Sequence, residues 1–429
     1  MKIVIGIIFN ITLIIELFLL IKCIYNYRYI KKKNNYIYKS IEDDEKIYFL
    51  LPCHKEYKII DSTINYFSHL IKNYKNCFVI IIAGNEYRNG NLILNDSYKV
   101  IKKKLSNSMY SSNIKVIKDD NDYSTKSTKL NYAISILDST ENNFIGVFDF
   151  DARPNKDFLK WLIRDMQYRR KNNKELPTVY QMPAIICNDI YKSSFFLSCY
   201  SIAHLRRELG IEGRDFMPKN DLQKIKYCIG AGFFVKLSQL KKYKFNTYSD
   251  DLFLGYILKI KAKKQVIIPY YNKVSSAKSF KELNKQQYKI YFGLFKFIEC
   301  LKIIDSKSRI SIKNKFIYLL TVLFDIFNET FQCGNIIILL IYFLLSNNIL
   351  YLFLFSAFNL CLWVGYMMIY KKINENTNIC KKNNNIVRDI LFAFSGYIYF
   401  FFRAYCMLTY LIKKKNYFSF YDSTIKETN

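Results

Sequence analysis

The sequence has only three histidines in 429 residues, and its eleven scattered cysteines include no Cys-x-x-Cys pair. A structural zinc site needs such pairs or a nearby histidine ladder, and a small secreted scaffold needs cysteines spaced as a disulfide framework. Both classes are excluded, and the thiol pattern agrees with a reducing cytoplasm. Acidic residues are also scarce, 35 against 65 lysines and arginines, for a formal net charge of +30. A chain this basic is drawn to anionic lipid headgroups, to nucleotides or to nucleic acid. Lysine, asparagine, isoleucine and tyrosine are abundant throughout, so no single positive run is specific.

No small-residue cleavage site follows the first apolar stretch, Ile3 to Ile21, which is interrupted by Asn10, Thr12 and Glu16. It is long enough to span a bilayer and reads as an uncleaved anchor. Lys22, Arg28 and Lys31 to Lys33 follow it, which predicts an outside N-terminus and a cytoplasmic domain. With spans present, a lipid surface and a phosphorylated substrate are better partners than nucleic acid. Apolar segments return at Phe316 to Phe331, Ile336 to Leu345, Ile349 to Tyr370 and Ile390 to Ile412. Two to four C-terminal membrane helices are expected, with Phe316 to Phe331 either a span or an interfacial helix beside the soluble domain. Basic residues lie on both sides of the last stretch, so one helix there does not span or the charge rule is locally broken.

Between these ends, short apolar runs alternate with helical periodicity. Strands are predicted at Lys46 to Pro52, Phe78 to Ala83, Ile114 to Lys118, Phe144 to Phe148, Thr178 to Ile186 and Ile229 to Val235. Helices are predicted at Ile59 to Leu70, Lys129 to Leu137, Phe158 to Arg170, Ser194 to Leu209 and Leu252 to Ile260. This alternation predicts an α/β domain with a mostly parallel sheet and helices on both faces. Ligands of such sheets bind at the carboxyl ends of the strands. Pro52 to Glu56, Gly84-Asn85 and Asp149 to Asp151 fall at those ends.

Asp149 and Asp151 end an apolar strand at alternate positions, so both carboxylates project to one side and can face one cation. The plainer reading is a strand closing in an acidic turn. Asp250 and Asp251 follow Ser249, a serine placed to cap a helix with acids in its first turn. His204, Arg206 and Arg207 read as a polar helix face.

Five features occur in order: Pro52-Cys53-His54-Lys55-Glu56, Lys126 ahead of Leu130-Asn131, Asp149-x-Asp151, Ser249-Asp250-Asp251 with Leu254-Gly255, and Gln286-Gln287-Tyr288-Lys289. Together with the flanking apolar segments they resemble the membrane-integrated family 2 glycosyltransferases, over about residues 46 to 293. The resemblance implies a GT-A-type nucleotide-sugar-binding domain. It implies that Asp151 holds Mg²⁺ or Mn²⁺ against the donor diphosphate, hard cations suited to oxygen ligands, and that Asp149 touches the donor sugar or ribose or helps hold the cation. Asp251 matches the general base, with Asp250 beside it. Pro52 and Glu56 match the nucleoside-cradling loop, although Lys55 replaces the usual asparagine. Ala83-Gly84-Asn85 replaces the usual aspartates, leaving Asn85 or Glu86 to substitute. Lys126 matches a lysine that meets donor phosphate or ribose, and is otherwise a solvated charge. Gly230 and Gly232 resemble the glycine-rich wall of the acceptor site, a packing role being equally natural. Gln286 and Lys289 match an acceptor-side Gln-x-x-Arg-Trp pattern, but Ile290 replaces the tryptophan that stacks on sugar in processive enzymes.

The expected organisation is an anchor at 1–30, a cytoplasmic catalytic domain at 46–300, interfacial and transmembrane helices at 310–415 and a cytoplasmic tail at 416–429. The expected activity is that of an inverting, metal-dependent glycosyltransferase of the plasma membrane. It would pass a sugar from a nucleotide diphosphate to a lipid-linked or envelope polysaccharide acceptor. The alternatives are a processive polysaccharide synthase with its own channel, and a non-catalytic basic membrane protein that binds anionic lipid.

Overall fold

A computed structural model describes residues 2–34, 46–88, 91–93, 96–106, 112–121, 124–138, 143–187, 194–211, 222–225, 228, 230, 232–245, 250–275, 277, 279–295, 297–308, 310–346, 349–374 and a scatter of positions between 387 and 409. Its centre is an eight-stranded sheet. From one edge the strands run Gln223–Lys224, Lys264–Ile267, Val179–Gln181, Phe233–Lys236, Phe144–Val147, Ile47–Pro52, Cys77–Gly84 and Ile114–Asp119. Four of the seven pairings are parallel, and Phe233–Lys236 runs against both its neighbours.

The apolar runs are continuous because both faces of the sheet are covered. Phe49, Leu51, Val79 and Ile81 face helices Ile60–Ile71 and Phe158–Lys171. The alternate residues Leu50, Ile80 and Ile82 face helices Lys126–Ser135, Leu237–Tyr243 and Asp250–Ile260. The α/β fold with a mostly parallel sheet is therefore as expected, and most strand boundaries lie within a residue or two of the pattern. Thr178 to Ile186 differs, because it divides into Val179–Gln181 in the main sheet and Ala184–Ile186 in a second sheet with Arg153–Pro154 and Asn272–Val274. Pro183, with no N–H to give to a ladder, sits at the division. The run expected from Ile229 begins its strand only at Phe233.

A third apolar cluster joins the N-terminal helix Lys2–Asn34 to helices Phe195–Leu205, Phe280–Phe295, Ile312–Leu345 and Ile349–Asn374. Among the described residues, two helical segments are long and apolar enough to cross a membrane, Gly6–Lys32 and Ile349–Asn374. The segments expected separately at Phe316 and Ile336 form one helix, Ile312–Leu345, since its polar residues do not interrupt the backbone. The polar-face reading of Arg206 is overturned. Arg206 is buried, donating to Glu16 of the N-terminal helix through Nε at 3.2 Å and Nη2 at 2.5 Å. Asn26 of the same helix donates to the Leu209 carbonyl at 2.6 Å.

Candidate active site

The turn after strand Phe144–Val147 alternates as the two-residue period requires. Phe148, Phe150 and Ala152 are buried in the core, while Asp149, Asp151 and Arg153 are half-buried on the other side. The Ala152 N–H donates to the Asp149 carbonyl at 2.9 Å, closing the turn. Arg153 fastens it from outside, donating to the Ala152 carbonyl at 2.8 Å and to the Thr63 hydroxyl of the neighbouring helix at 2.9 Å. Burial depresses the Arg153 pKa, and Asp151 opposes that shift. Ser275, just beyond strand Asn272–Val274, donates its hydroxyl to Asp151 Oδ2.

Lys126 opens helix Lys126–Ser135, whose cap is Thr125, with Oγ1 accepting from the Thr128 N–H at 3.2 Å. The helix begins three residues before the predicted Lys129 because of that cap. Its first residue reaches across the strand ends. The Lys126 ammonium lies 2.6 Å from Asp149 Oδ1 and 3.3 Å from the Gly230 carbonyl oxygen. On Gly230 rests the third acid: a Cβ there would stand 2.5 Å from Asp251 Oδ2. Only glycine permits that approach. Burial, and then Asp251, raise the pKa of the neighbouring Cys228 thiol, which stays protonated.

Four of the predicted residues, Lys126, Asp149, Gly230 and Asp251, thus form one contiguous group, with Asp151 at its side. Pro52 ends the strand adjacent to Phe144–Val147, and Glu56 follows in the same loop. Gly232 is different: it is buried, adopts φ +83°, and its missing side chain makes room for Asn272. It serves the wall and not an open surface. Gln286 lies half-buried on helix Phe280–Phe295. Lys289 is on that helix and Asp250 begins helix Asp250–Ile260, but their side chains, like all of Ser249, fall outside the described residues.

Asp149 and Asp151 offer oxygen donors that fit Mg²⁺ or Mn²⁺. Among the described residues no cluster of three histidine, cysteine, aspartate or glutamate side chains could hold a metal. The remaining ligands of such an ion would have to come from phosphate oxygens and water.

No protein-family model and no curated protein matches the sequence. Solved structures do. A mannosyltransferase from Pyrobaculum calidifontis, PcManGT in complex with GDP-Man and Mn²⁺, is similar at a TM-score of 0.51 and 11% identity, over 95% of this chain and 100% of its own. Residues 1–349 of S. aureus TarS with UDP-GlcNAc give 0.41 at 13% identity, covering 87% of this chain and 93% of that one. Glucosyl-3-phosphoglycerate synthase from Mycobacterium tuberculosis, with Mn²⁺, UDP and phosphoglyceric acid, gives 0.36 at 13% identity over 62% and 79%. The last two overlap too loosely to bear on this chain. The first establishes a shared fold.

Three residues near the strand ends make contacts that no local pattern reveals, and the first corrects an expectation, since Glu86 is turned into the protein and does not offer itself to a nucleoside. Glu86 is fully buried, accepting from the Lys55 N–H at 2.9 Å, the Ser97 hydroxyl at 2.7 Å and the Tyr57 hydroxyl. It braces the loop after Pro52, which needs bracing because Lys55 has φ +55°. Lys129 is buried with its ammonium 2.6 Å from the Cys53 carbonyl, and burial lowers its pKa. Asn131 clamps the backbone of Phe245 in both directions, at 2.9 and 2.8 Å, ahead of the helix that carries Asp251. An asparagine in a helical pattern signals nothing of this, since its partner lies 114 residues away.

Proposed function

We propose that the chain is an inverting glycosyltransferase that takes its sugar from a nucleotide diphosphate. One observation carries the reading: an ammonium and three carboxylates gather at the carboxyl ends of a mostly parallel sheet, with Asp251 on a different element from Asp149 and Asp151. Transfer needs two separate functions, stabilisation of the departing diphosphate and removal of the acceptor proton. Asp149 and Asp151 would hold Mg²⁺ or Mn²⁺, which supplies charge neutralisation at the leaving group. Lys126 faces the same phosphates. Asp251 accepts the proton of the acceptor hydroxyl as its oxygen bonds to the anomeric carbon and the phosphate oxygen leaves from the opposite side. One such displacement inverts the configuration. Pro52, Glu56 and the loop braced by Glu86 belong to the nucleoside end, while Gly230, Gln286, Lys289 and Asp250 belong to the acceptor end.

We place the reaction at the cytoplasmic face of a membrane, with a lipid-linked or envelope glycan as acceptor. The faces of the N-terminal helix support this. Thr12, Glu16 and Asn26 are buried against the rest of the chain, whereas Ile7, Ile11, Ile14, Phe18 and Ile21 point outward. Water favours the opposite arrangement and hydrocarbon favours this one. Interfacial and spanning roles are proposed accordingly for residues 310–415, with a cytoplasmic tail after them. The test is to incubate the purified full-length chain in nanodiscs with labelled nucleotide sugars and a lipid-phosphate acceptor, with and without Mn²⁺. Sugar transfer that is lost on chelation is expected, and chelator-insensitive transfer contradicts the metal role.

A further inference from the structure

We infer that Lys126 is an internal cation that keeps the metal site closed until a nucleotide donor arrives, an inference that rests on the donor-site reading above. The ammonium sits 2.6 Å from Asp149 Oδ1 and so competes with a divalent ion for that oxygen. Oxygen ligands hold Mg²⁺ at about 2.1 Å and Ca²⁺ at about 2.3–2.6 Å, so an ion on Asp149 and the ammonium where it now lies would be neighbouring like charges. They exclude one another unless the ammonium moves. The carboxylates alone do not compensate for that repulsion, since no cluster of three ligating side chains exists among the described residues. A diphosphate changes the balance twice over. Its oxygens complete the coordination of the ion, and its negative charge gives Lys126 another partner. Metal and donor then bind together and neither binds well alone.

The lock reaches the base as well. The same ammonium lies 3.3 Å from the Gly230 carbonyl oxygen, and Asp251 Oδ2 rests against the Gly230 Cα. Drawing Lys126 onto phosphate frees this peptide on its carbonyl side and leaves Asp251 seated on the other. The residue that reports the donor thus touches the same peptide against which the base is seated. Lys126 is the first residue of its helix and is 24% exposed, so its side chain can swing without unpacking the core.

The experiment is a Mn²⁺ titration followed by electron paramagnetic resonance on the full-length chain, with no sugar transferred. Wild type and Lys126→Met are compared in the absence and presence of UDP and, separately, of GDP. Lys126→Met is expected to bind Mn²⁺ alone at least tenfold more tightly than wild type. Nucleotide is expected to raise the Mn²⁺ affinity of wild type by a larger factor than that of the variant. Lys126→Arg keeps the positive charge and is expected to stay weak without nucleotide. Equal or weaker Mn²⁺ binding by Lys126→Met overturns the lock while leaving the donor site standing, provided nucleotide still promotes binding in wild type. Absence of Mn²⁺ binding in wild type with either nucleotide overturns the donor-site reading and the lock together.

Discussion

Two ion pairs of nearly the same length do opposite work in this molecule. Arg206 and Glu16 approach to 2.5 Å with each side chain 4% exposed, whereas Lys126 and Asp149 approach to 2.6 Å at 24% and 41% exposure. Distance therefore does not distinguish them, and burial does. A buried pair broken on one side leaves a stranded charge, while a pair open to water gives up little when it parts. The first is suited to clamp the N-terminal helix to the domain permanently. The second is suited to open, as the proposed lock requires.

The comparison breaks first at the clamp. Arg206→Ala is expected to destabilise the chain by about 3–5 kcal/mol, read from thermal unfolding in detergent, because Glu16 is left buried and charged. Replacing both partners by apolar residues, as in Glu16→Leu with Arg206→Met, is expected to recover most of that loss. A single variant that unfolds like wild type would remove the distinction between the two pairs.

Asp251→Asn sharpens it at the site. Turnover is expected to fall by about 10²–10⁴-fold, the usual worth of a general base, with nucleotide affinity little changed. Gly230→Ala acts on the same step through position: its methyl group meets Asp251 Oδ2, so kcat should fall while Mn²⁺–nucleotide binding is retained.

Acid pH provides a smaller test. The imidazole of His54, in the loop after Pro52, is held down to a pKa of about 3 by burial and then by Lys129 and Lys55. The unfolded chain takes up that proton near pH 6.5 and the folded chain does not until about pH 3. Its contribution is thus fully present above pH 6.5 and is lost as pH falls towards 3, at no more than about 1.4 kcal/mol per pH unit. His54→Gln should flatten the stability profile between those limits. The smallest effect belongs to Lys126→Met, expected to change stability by less than about 1 kcal/mol, since the pair it removes is open to water.

Much of this architecture is legible in the order of the amino acids. The three central parallel strands, Ile47–Pro52, Cys77–Gly84 and Phe144–Val147, announce themselves because strands buried on both faces are apolar with little interruption, whereas the edge strand Ile114–Asp119 carries two lysines and exposes Lys115. Asp149, Asp151, Lys126 and Asp251 stand out by order and spacing; Lys126 meets Asp149 directly and is linked to Asp251 through Gly230, while Asp151 lies two residues along the same turn. The features that local pattern does not reveal are set by contacts distant along the chain. The strands Gln223–Lys224 and Arg153–Pro154 are two residues long and carry no period. Arg206 reads as solvated because nothing adjacent to it indicates that Glu16, 190 residues earlier, meets it. Ser275 on Asp151 and Lys129 on the Cys53 carbonyl leave no local trace for the same reason.

The most direct test of the proposed chemistry is single-turnover transfer from a labelled nucleotide sugar by the purified chain, with Asp251→Asn run in parallel in the presence of Mn²⁺. Wild type is expected to yield a glycosylated acceptor of inverted anomeric configuration. The variant is expected to bind donor with normal affinity without transferring its sugar. Retained configuration, or full transfer by Asp251→Asn, would contradict the assignment of Asp251 as the base of an inverting displacement.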